Sequence, residues 1–135
     1  MKKDIVESIS RLFSLKSSCH FQLIDKLELE ELSFKQIKYI KMLNKEEGST
    51  ISEIAEQLSL SKPSVTEMIK KFQKMDLVYK EGCVHDKRIQ YIKLSDKGLN
   101  IANIEKLTVD FLATQLEERL SDDDVAKIVE VFMKL

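Results

Sequence analysis

The chain has 135 residues, of which 43% are hydrophobic and 33% are charged. This length and composition are typical of one globular domain that buries a core of its own. The sequence contains no apolar run long enough for a membrane span or a signal peptide, so we expect a cytoplasmic protein without a membrane partner. Only 3 Gly and 1 Pro occur, which leaves most of the chain free to form helix.

The net charge of −1 conceals an uneven distribution along the chain. Residues 62–97 hold 9 bases and 5 acids, a net charge of +4, whereas residues 98–135 hold 4 bases and 8 acids, a net charge of −4. A basic central block of this kind suits a surface that faces a polyanion. Random scatter of charges is the alternative explanation.

The predicted elements begin with a long helix over residues 4–27, where apolar residues recur at steps of three and four. Ser33 is expected to start the next helix, because Ser33 and Gln36 have the spacing of a capping box. Gly48 is expected to end that helix in a left-handed turn.

Two shorter helices are predicted next. Ser52 is expected to cap a helix over residues 53–58, and a tight turn leads to Ser61, which caps the second helix. Pro63 suits the second position of that helix, because amides of a first turn have no partner within the helix. The helix is expected to end near Met75. Its buried stripe consists of Val65, Met68, Ile69 and Phe72.

A hairpin and two closing helices complete the chain. Strands are expected over residues 77–80 and 88–94. Ser95 is expected to cap one long helix that continues to about residue 117. Ser121 then begins the last helix, where three acidic residues in the first turn suit the helix dipole.

Two short helices, a tight turn and a charged hairpin predict a winged helix-turn-helix. Small hydroxyl side chains and free amides at the start of the second helix suit base edges or phosphates, and the lysines that follow suit the phosphate backbone. A solvated face with capping serines is the alternative for this helix alone. The candidate DNA-binding residues of the helix are Ser61, Lys62, Pro63, Ser64, Thr66, Glu67, Lys70, Lys71 and Lys74.

The tip of the hairpin places one acid beside two bases. An Arg at the tip of a wing suits the narrow, electronegative minor groove, and Arg88 is our candidate. Asp86 is expected to hold Arg88 through a bidentate pair, and Lys87 is expected to contact a phosphate. An incidental ion pair at a polar tip is the alternative. The turn, from Gly82 to Lys87, is short, which limits the reach that we predict for the wing.

These motifs resemble the MarR family of transcriptional regulators. The resemblance rests on TISEIAEQLSLSKPSVTEMIKKFQKMDLVYKE, on the D-x-R tip of the wing, and on L-S-x-x-G at Leu94, Ser95 and Gly98, and it covers the whole chain. It implies a mainly α fold with a small β-hairpin wing, a winged helix-turn-helix with N- and C-terminal dimerisation helices. The implied layout is one domain over 1–135, with dimerisation helices at 4–30 and 99–135 and the DNA-binding unit at 33–97.

The resemblance also implies a function. Members of the family act as homodimers on pseudo-palindromic operators, usually as repressors that a small ligand or oxidation releases. The implied partners are therefore double-stranded operator DNA, a second copy of the chain and a small-molecule effector of unknown identity. The implied wing roles of Asp86 and Arg88 are those described above.

The apolar faces of the first and last helices favour a dimer on physical grounds. A small domain could not bury all of these faces, and their exposure would create a large apolar patch. A two-fold dimer would bury them and place two recognition helices about 34 Å apart, one turn of the duplex. A helical layer within one chain is the alternative. The candidate dimerisation residues are Ile5, Ile9, Leu12, Phe13, Val125, Ile128, Val129 and Phe132.

Cys19 and Cys83 lie far apart in the sequence and are expected to be free thiols. Each lies near a histidine, His20 and His85, but neither pair supplies the ligands of a closed zinc site, so no metal or other cofactor is predicted. We expect Cys19 to act as a small buried hydrophobic residue, with a redox switch as the alternative.

The sequence also bears on three other classes of function. The sequence has no Gly-rich phosphate loop, no G-x-S-x-G motif and no His-Glu-His metal spacing, so no enzyme is predicted. A winged-helix module could instead bind an acidic protein, and it would then show no steep salt-dependent binding of duplex DNA. SKPSVTEMIKKF also resembles the recognition helix of DtxR-type metal-dependent repressors, but the helices that follow it here lack His and Cys.

Overall fold

The computed structural model describes residues 1–27 and 29–135. These residues form helices and one hairpin, which confirms the predicted mainly α fold. The hairpin strands, β1 (Val78–Gly82) and β2 (Gln90–Leu94), pair antiparallel. A short 3-10 helix covers Leu29–Glu31. The α-helices are α1 (Lys2–Lys26), α2 (Phe34–Met42), α3 (Ile51–Leu58), α4 (Lys62–Lys74), α5 (Asp96–Ala102), α6 (Ile104–Arg119) and α7 (Asp122–Phe132).

The chain divides into two compact units. The central unit, residues 27–103, contains α2 to α5 and the hairpin, and the terminal unit, residues 1–26 and 104–135, contains α1, α6 and α7. No helix of the described part of the chain is both long and apolar enough to cross a membrane.

Hydroxyl side chains start most of the helices, as predicted. Ser33 and Gln36 form the expected capping box, with both hydrogen bonds at 3.1 Å. Ser61, Ser95 and Ser121 cap α4, α5 and α7. The prediction for α3 was wrong, because Thr50 rather than Ser52 is its cap.

Gly48 has the predicted left-handed conformation, with a φ of +76°, but α2 ends six residues earlier, at Met42. The glycine lies instead in the turn that brings Ser49 against β2, where Ser49 and Ile92 exchange two backbone hydrogen bonds of 3.1 and 2.7 Å. A Cβ at Gly48 would lie 2.9 Å from the carbonyl oxygen of Ile92, so this position requires glycine for space as well as for its backbone.

The single long helix predicted after Ser95 is in fact two helices. The backbone leaves helical geometry at Asn103, with a φ of −102° and a ψ of 18°. The Asn103 side chain donates a hydrogen bond of 2.8 Å to the carbonyl of Leu99. A side-chain amide that competes for backbone carbonyls in this way favours the end of a helix.

The core of the central unit comes from the predicted apolar stripes. Ile40, Ile54, Val65, Ile69 and Phe72 are all buried, which confirms most of the stripe of α4. Met68 is half-buried. The core is completed by Leu77 just before β1, by Ile92 and Leu94 on β2, and by Ile101 on α5.

The beginning of α5 lies against the corner where α4 leads into β1. The backbone N–H of Ser95 donates to the carbonyl of Leu77 at 2.9 Å, and the Ser95 hydroxyl donates to the carbonyl of Asp76. The same hydroxyl accepts from the N–H of Gly98 at 3.1 Å. The L-S-x-x-G motif thus joins α5 to the corner between α4 and β1.

In the terminal unit, α1 packs along α6, and α7 contacts α6. Cys19 is buried, as predicted. The predicted dimerisation residues are much less covered, since Leu12, Val125 and Ile128 are half-buried. The remaining five are exposed, namely Ile5, Ile9, Phe13, Val129 and Phe132.

We predict that Gly98→Ala lowers the free energy of unfolding by about 1–3 kcal/mol, because its Cβ would collide with the carbonyl of Leu77. Chemical denaturation followed by circular dichroism measures the change. Gly82→Ala is the matched control, since no atom lies within 4 Å of a Cβ there, and its effect should stay within about 0.5 kcal/mol. Equal stability of the two variants would contradict the packing role of Gly98.

Candidate nucleic-acid interface

The start of α4 is an exposed, polar helix end. Ser59 adopts a left-handed conformation, with a φ of 55°, and ends α3 in a tight turn. Ser61 then caps α4 by accepting from the N–H of Ser64 at 3.3 Å, and its own hydroxyl donates to the Ser64 hydroxyl at 2.9 Å. The hydroxyl proton of Ser64 is therefore available for a partner outside the helix. Lys62 and Pro63 beside them are exposed.

The polar residues further along α4 differ in their surroundings. Thr66 is half-buried, and Glu67 is exposed and pairs with Lys70 at 3.2 Å. Lys74 is exposed on the last turn. Glu67, Lys70 and Lys74 lie on the face opposite the buried stripe, where a duplex could approach them.

Lys71 is the exception among the lysines of α4. Its ammonium donates to the backbone carbonyl of Glu31 at 2.9 Å and to Oε1 of Gln36 at 3.0 Å. The side chain is therefore engaged with the start of α2 rather than with the solvent face. The sequence had grouped Lys71 with Lys70 and Lys74, because spacing along a helix does not show tertiary partners.

The wing differs from its prediction in length. The second strand begins at Gln90, not at residue 88, so the loop spans residues 83–89 and Arg88 lies in the loop itself. The tip is therefore longer than the predicted turn from Gly82 to Lys87. Lys87 and Arg88 are both exposed there.

Asp86 holds Arg88 in the bidentate geometry that we expected. Nε of Arg88 donates to Oδ1 of Asp86 at 3.1 Å, and Nη2 donates to Oδ2 at 2.9 Å. The backbone N–H of Arg88 also donates to Oδ1 at 3.0 Å. The Arg88 side chain is 90% exposed, so the pair fixes a guanidinium that still faces solvent.

The pair also shifts the ionisation of both groups. The hydrogen bonds from Arg88 lower the pKa of the Asp86 carboxyl below its ordinary value of 3.8. The carboxylate in turn raises the pKa of Arg88. Both groups are therefore charged at neutral pH.

An ion pair at the base of the wing was not predicted. Lys93 on β2 pairs with Glu81 on β1, and this contact raises the pKa of Lys93. The two residues are not directly opposite, because Glu81 faces Tyr91 in the ladder. The contact stabilises the two strands that carry the tip. It can be identified only from the observed pairing of the strands.

The cysteines and histidines show no metal site. Both cysteines are free, with Cys83 half-buried in the wing loop and His85 exposed beside it. Within the described ranges, no group of three or more His, Cys, Asp or Glu side chains could hold a metal ion.

The sequence matches known regulators over the same elements. The model of the MarR family matches residues 32–90, from the start of α2 to the wing. The regulator TcaR of Staphylococcus aureus is 31% identical over 103 residues, which are 75% of this chain and 68% of TcaR. The chain belongs to the MarR family. It is thus a DNA-binding transcriptional regulator and not an enzyme.

Solved structures share the fold at lower sequence identity. A MepR variant of S. aureus bound to an oligodeoxyribonucleotide is 19% identical, with a TM-score of 0.61 over 99% of this chain and 94% of that one. MepR bound to ethidium bromide is 22% identical, with a TM-score of 0.55 over 93% and 91% of the two chains. The winged-helix fold predicted from the sequence is confirmed.

We predict that the Asp86 carboxyl titrates below pH 3.8, and that Arg88→Ala returns its midpoint towards that ordinary value. Because the folded pKa is lowered, the stabilisation by the pair is present above the ordinary pKa and is lost as pH falls through the folded one. Carboxyl carbon NMR on both proteins measures the midpoints. Identical midpoints would show that the pair does not persist in solution.

Proposed function

We propose that the protein is a homodimeric repressor that binds a pseudo-palindromic operator through α4 and the wing, and that a small ligand or oxidation releases it. The observation that carries this proposal is the Asp86–Arg88 pair at an exposed wing tip, on the same compact unit as the polar start of α4. In this proposal α4 contacts the major groove and the wing contacts the minor groove.

The start of α4 would read the major groove. Its exposed N-terminus presents the positive end of the helix dipole to a phosphate, and the Ser64 hydroxyl has a proton to donate to a base edge or a phosphate. Lys62 and Lys74 would contact phosphates at the two ends of the helix. Pro63 and Thr66 would add apolar and hydroxyl contacts between them.

Arg88 would enter the minor groove beside the helix. Nε and one N–H of Nη2 are engaged with Asp86, so three of the five guanidinium protons are left for groove acceptors. Because Asp86 fixes the guanidinium before binding, less side-chain entropy is lost when DNA binds. Lys87 would add a phosphate contact at the tip.

The terminal helices would form the dimer. Both α1 and α7 carry exposed apolar side chains, among them Phe13, which is 62% exposed, and Phe132, which is 53% exposed. A group of exposed apolar side chains of this kind is typical of a protein interface. A second copy of the chain would cover it by two-fold symmetry and pair two recognition helices on one operator.

A cavity in the terminal unit supports release by a small molecule. It has a volume of about 460 Å³ and is lined by Phe13, Lys16, His20 and Phe21 among others. The Thr108 hydroxyl donates to the carbonyl of Ile104, so at its 3.2 Å contact with His20 it accepts from Nδ1. The similar MepR of S. aureus binds ethidium bromide, which supports a small-molecule effector for this chain as well.

We expect Arg88→Ala to weaken binding to the preferred duplex by roughly ten- to a hundredfold, with a smaller loss on a scrambled duplex. Lys74→Ala should weaken binding to both duplexes equally and reduce the slope of log K against log salt by about 0.9. Fluorescence anisotropy across a salt series measures both effects. Equal operator affinity of Arg88→Ala and the wild type would refute the assignment of the wing.

We expect sedimentation equilibrium to give the mass of two chains for the wild type, and Phe132→Asp to shift the protein towards the monomer. A charge at this position would have to be buried without a partner in the dimer. Val84→Asp is the control, since Val84 is 94% exposed but lies in the wing loop. A monomeric wild type, or equal dissociation by the two variants, would contradict the proposed interface.

A further inference from the structure

We propose that Lys71 is a positioning residue, which ties the recognition helix α4 to the connector (Leu29–Ser33) and so sets how α4 meets DNA. The proposal rests on the DNA-binding role proposed for α4. It assigns Lys71 a different task from the phosphate contact that the sequence suggested.

The contacts of Lys71 cross a long stretch of sequence. Its ammonium donates to the carbonyl of Glu31, 40 residues earlier, and to Oε1 of Gln36, 35 residues earlier. Glu31 ends the 3-10 helix of the connector, and Gln36 lies in the first turn of α2. One side chain therefore joins three elements of the central unit.

Gln36 shares one oxygen between two tasks. Its Oε1 accepts from the N–H of Ser33 at 3.1 Å, which completes the capping box, and from Lys71 at 3.0 Å. Both partners are donors, so the side-chain atom that faces them has to be the oxygen, and its two lone pairs serve both bonds. The start of α2 and the position of α4 thus depend on the same amide.

The connector is packed rather than loose. Leu29 and Leu32 are both buried, at 3% and 8% exposure. A displacement of such a segment moves its backbone carbonyls as a body, and the Lys71 bond would carry that displacement to α4. The connector also follows α1 in the chain, so it is one of the two covalent links between the terminal unit and the central unit, the other being at Asn103.

The other lysines of α4 provide the contrast. Lys70 pairs with Glu67 on the solvent face, and Lys74 is exposed. A lysine that is held against the connector and touches no phosphate releases no counterion when DNA binds, whereas one that contacts a phosphate does. The two roles therefore differ in salt dependence as well as in selectivity.

The test uses full-length Lys71→Met, which keeps an unbranched side chain and removes the ammonium, with Lys74→Met as the matched control. Each is titrated by anisotropy on a duplex that the wild type selects from a random library and on its scrambled form, across salt. For Lys71→Met we expect the ratio of the two affinities to fall roughly fivefold or more with an unchanged salt slope. For Lys74→Met we expect an unchanged ratio and a slope reduced by about 0.9. Lys71→Arg, which keeps a positively charged donor, should retain the wild-type ratio of the two affinities.

A reduced salt slope with an unchanged ratio for Lys71→Met would overturn the proposal, since that is the behaviour of a phosphate contact. An unchanged ratio and slope would overturn it as well.

Gln36→Leu gives a second test through a double-mutant cycle, in which its effect on the ratio should largely disappear when Lys71 is already Met. Strict additivity would contradict a shared contact. Failure of the wild type to select any duplex would refute the proposed function itself, and so is distinguished from these outcomes.

Discussion

The close approach of Gly98 to the carbonyl of Leu77 determines how the DNA-binding elements are arranged. No side chain fits between them, so the start of α5 lies directly against the corner that joins α4 to β1. Ser95 secures this contact from both sides, through its N–H to Leu77 and its hydroxyl to Asp76. Because β2 ends at Leu94, opposite Val78, the same corner fixes the base of the wing. The recognition helix and the wing therefore share one anchor.

The positive charge of the central block is divided among different tasks. Lys93 braces the strands through Glu81, and Lys71 is engaged with Glu31 and Gln36. Arg88 is held by Asp86 yet remains exposed. A net charge counted along the sequence indicates a polyanion as the partner, but it overstates how many cations reach it. The geometry separates the cations that build the surface from those that we propose contact DNA.

Local chemistry made much of the fold predictable. The caps at Ser33, Ser61, Ser95 and Ser121 were found from sequence because a hydroxyl acceptor and the amides that it caps lie within one turn. Thr50 was missed because Thr50 and Ser52 both suit a cap. The choice between them follows from the pairing of the preceding residue, Ser49, with Ile92 on a distant strand.

Features that depend on tertiary contacts or competing local bonds were predicted less well. The break at Asn103 follows from a side-chain bond to Leu99 that helical periodicity does not reveal. The longer wing loop follows from the bonds between Asp86 and Arg88, which keep Arg88 in a turn. The candidate site was largely foreseen at the level of elements, since the polar start of α4 and the ion pair of the wing are both present. The different position of Lys71 was not foreseen, because its partners lie about 40 residues away along the chain.

Binding of the wild-type protein to DNA from upstream of its own gene tests the proposed regulatory function most directly. Fluorescence anisotropy would compare that fragment with a scrambled duplex of equal length over a range of salt concentrations. We expect a clear preference for the native fragment and an affinity that falls steeply as salt rises. Equal, weak binding to both duplexes even at low salt would contradict a regulator that reads its own upstream DNA through α4 and the wing.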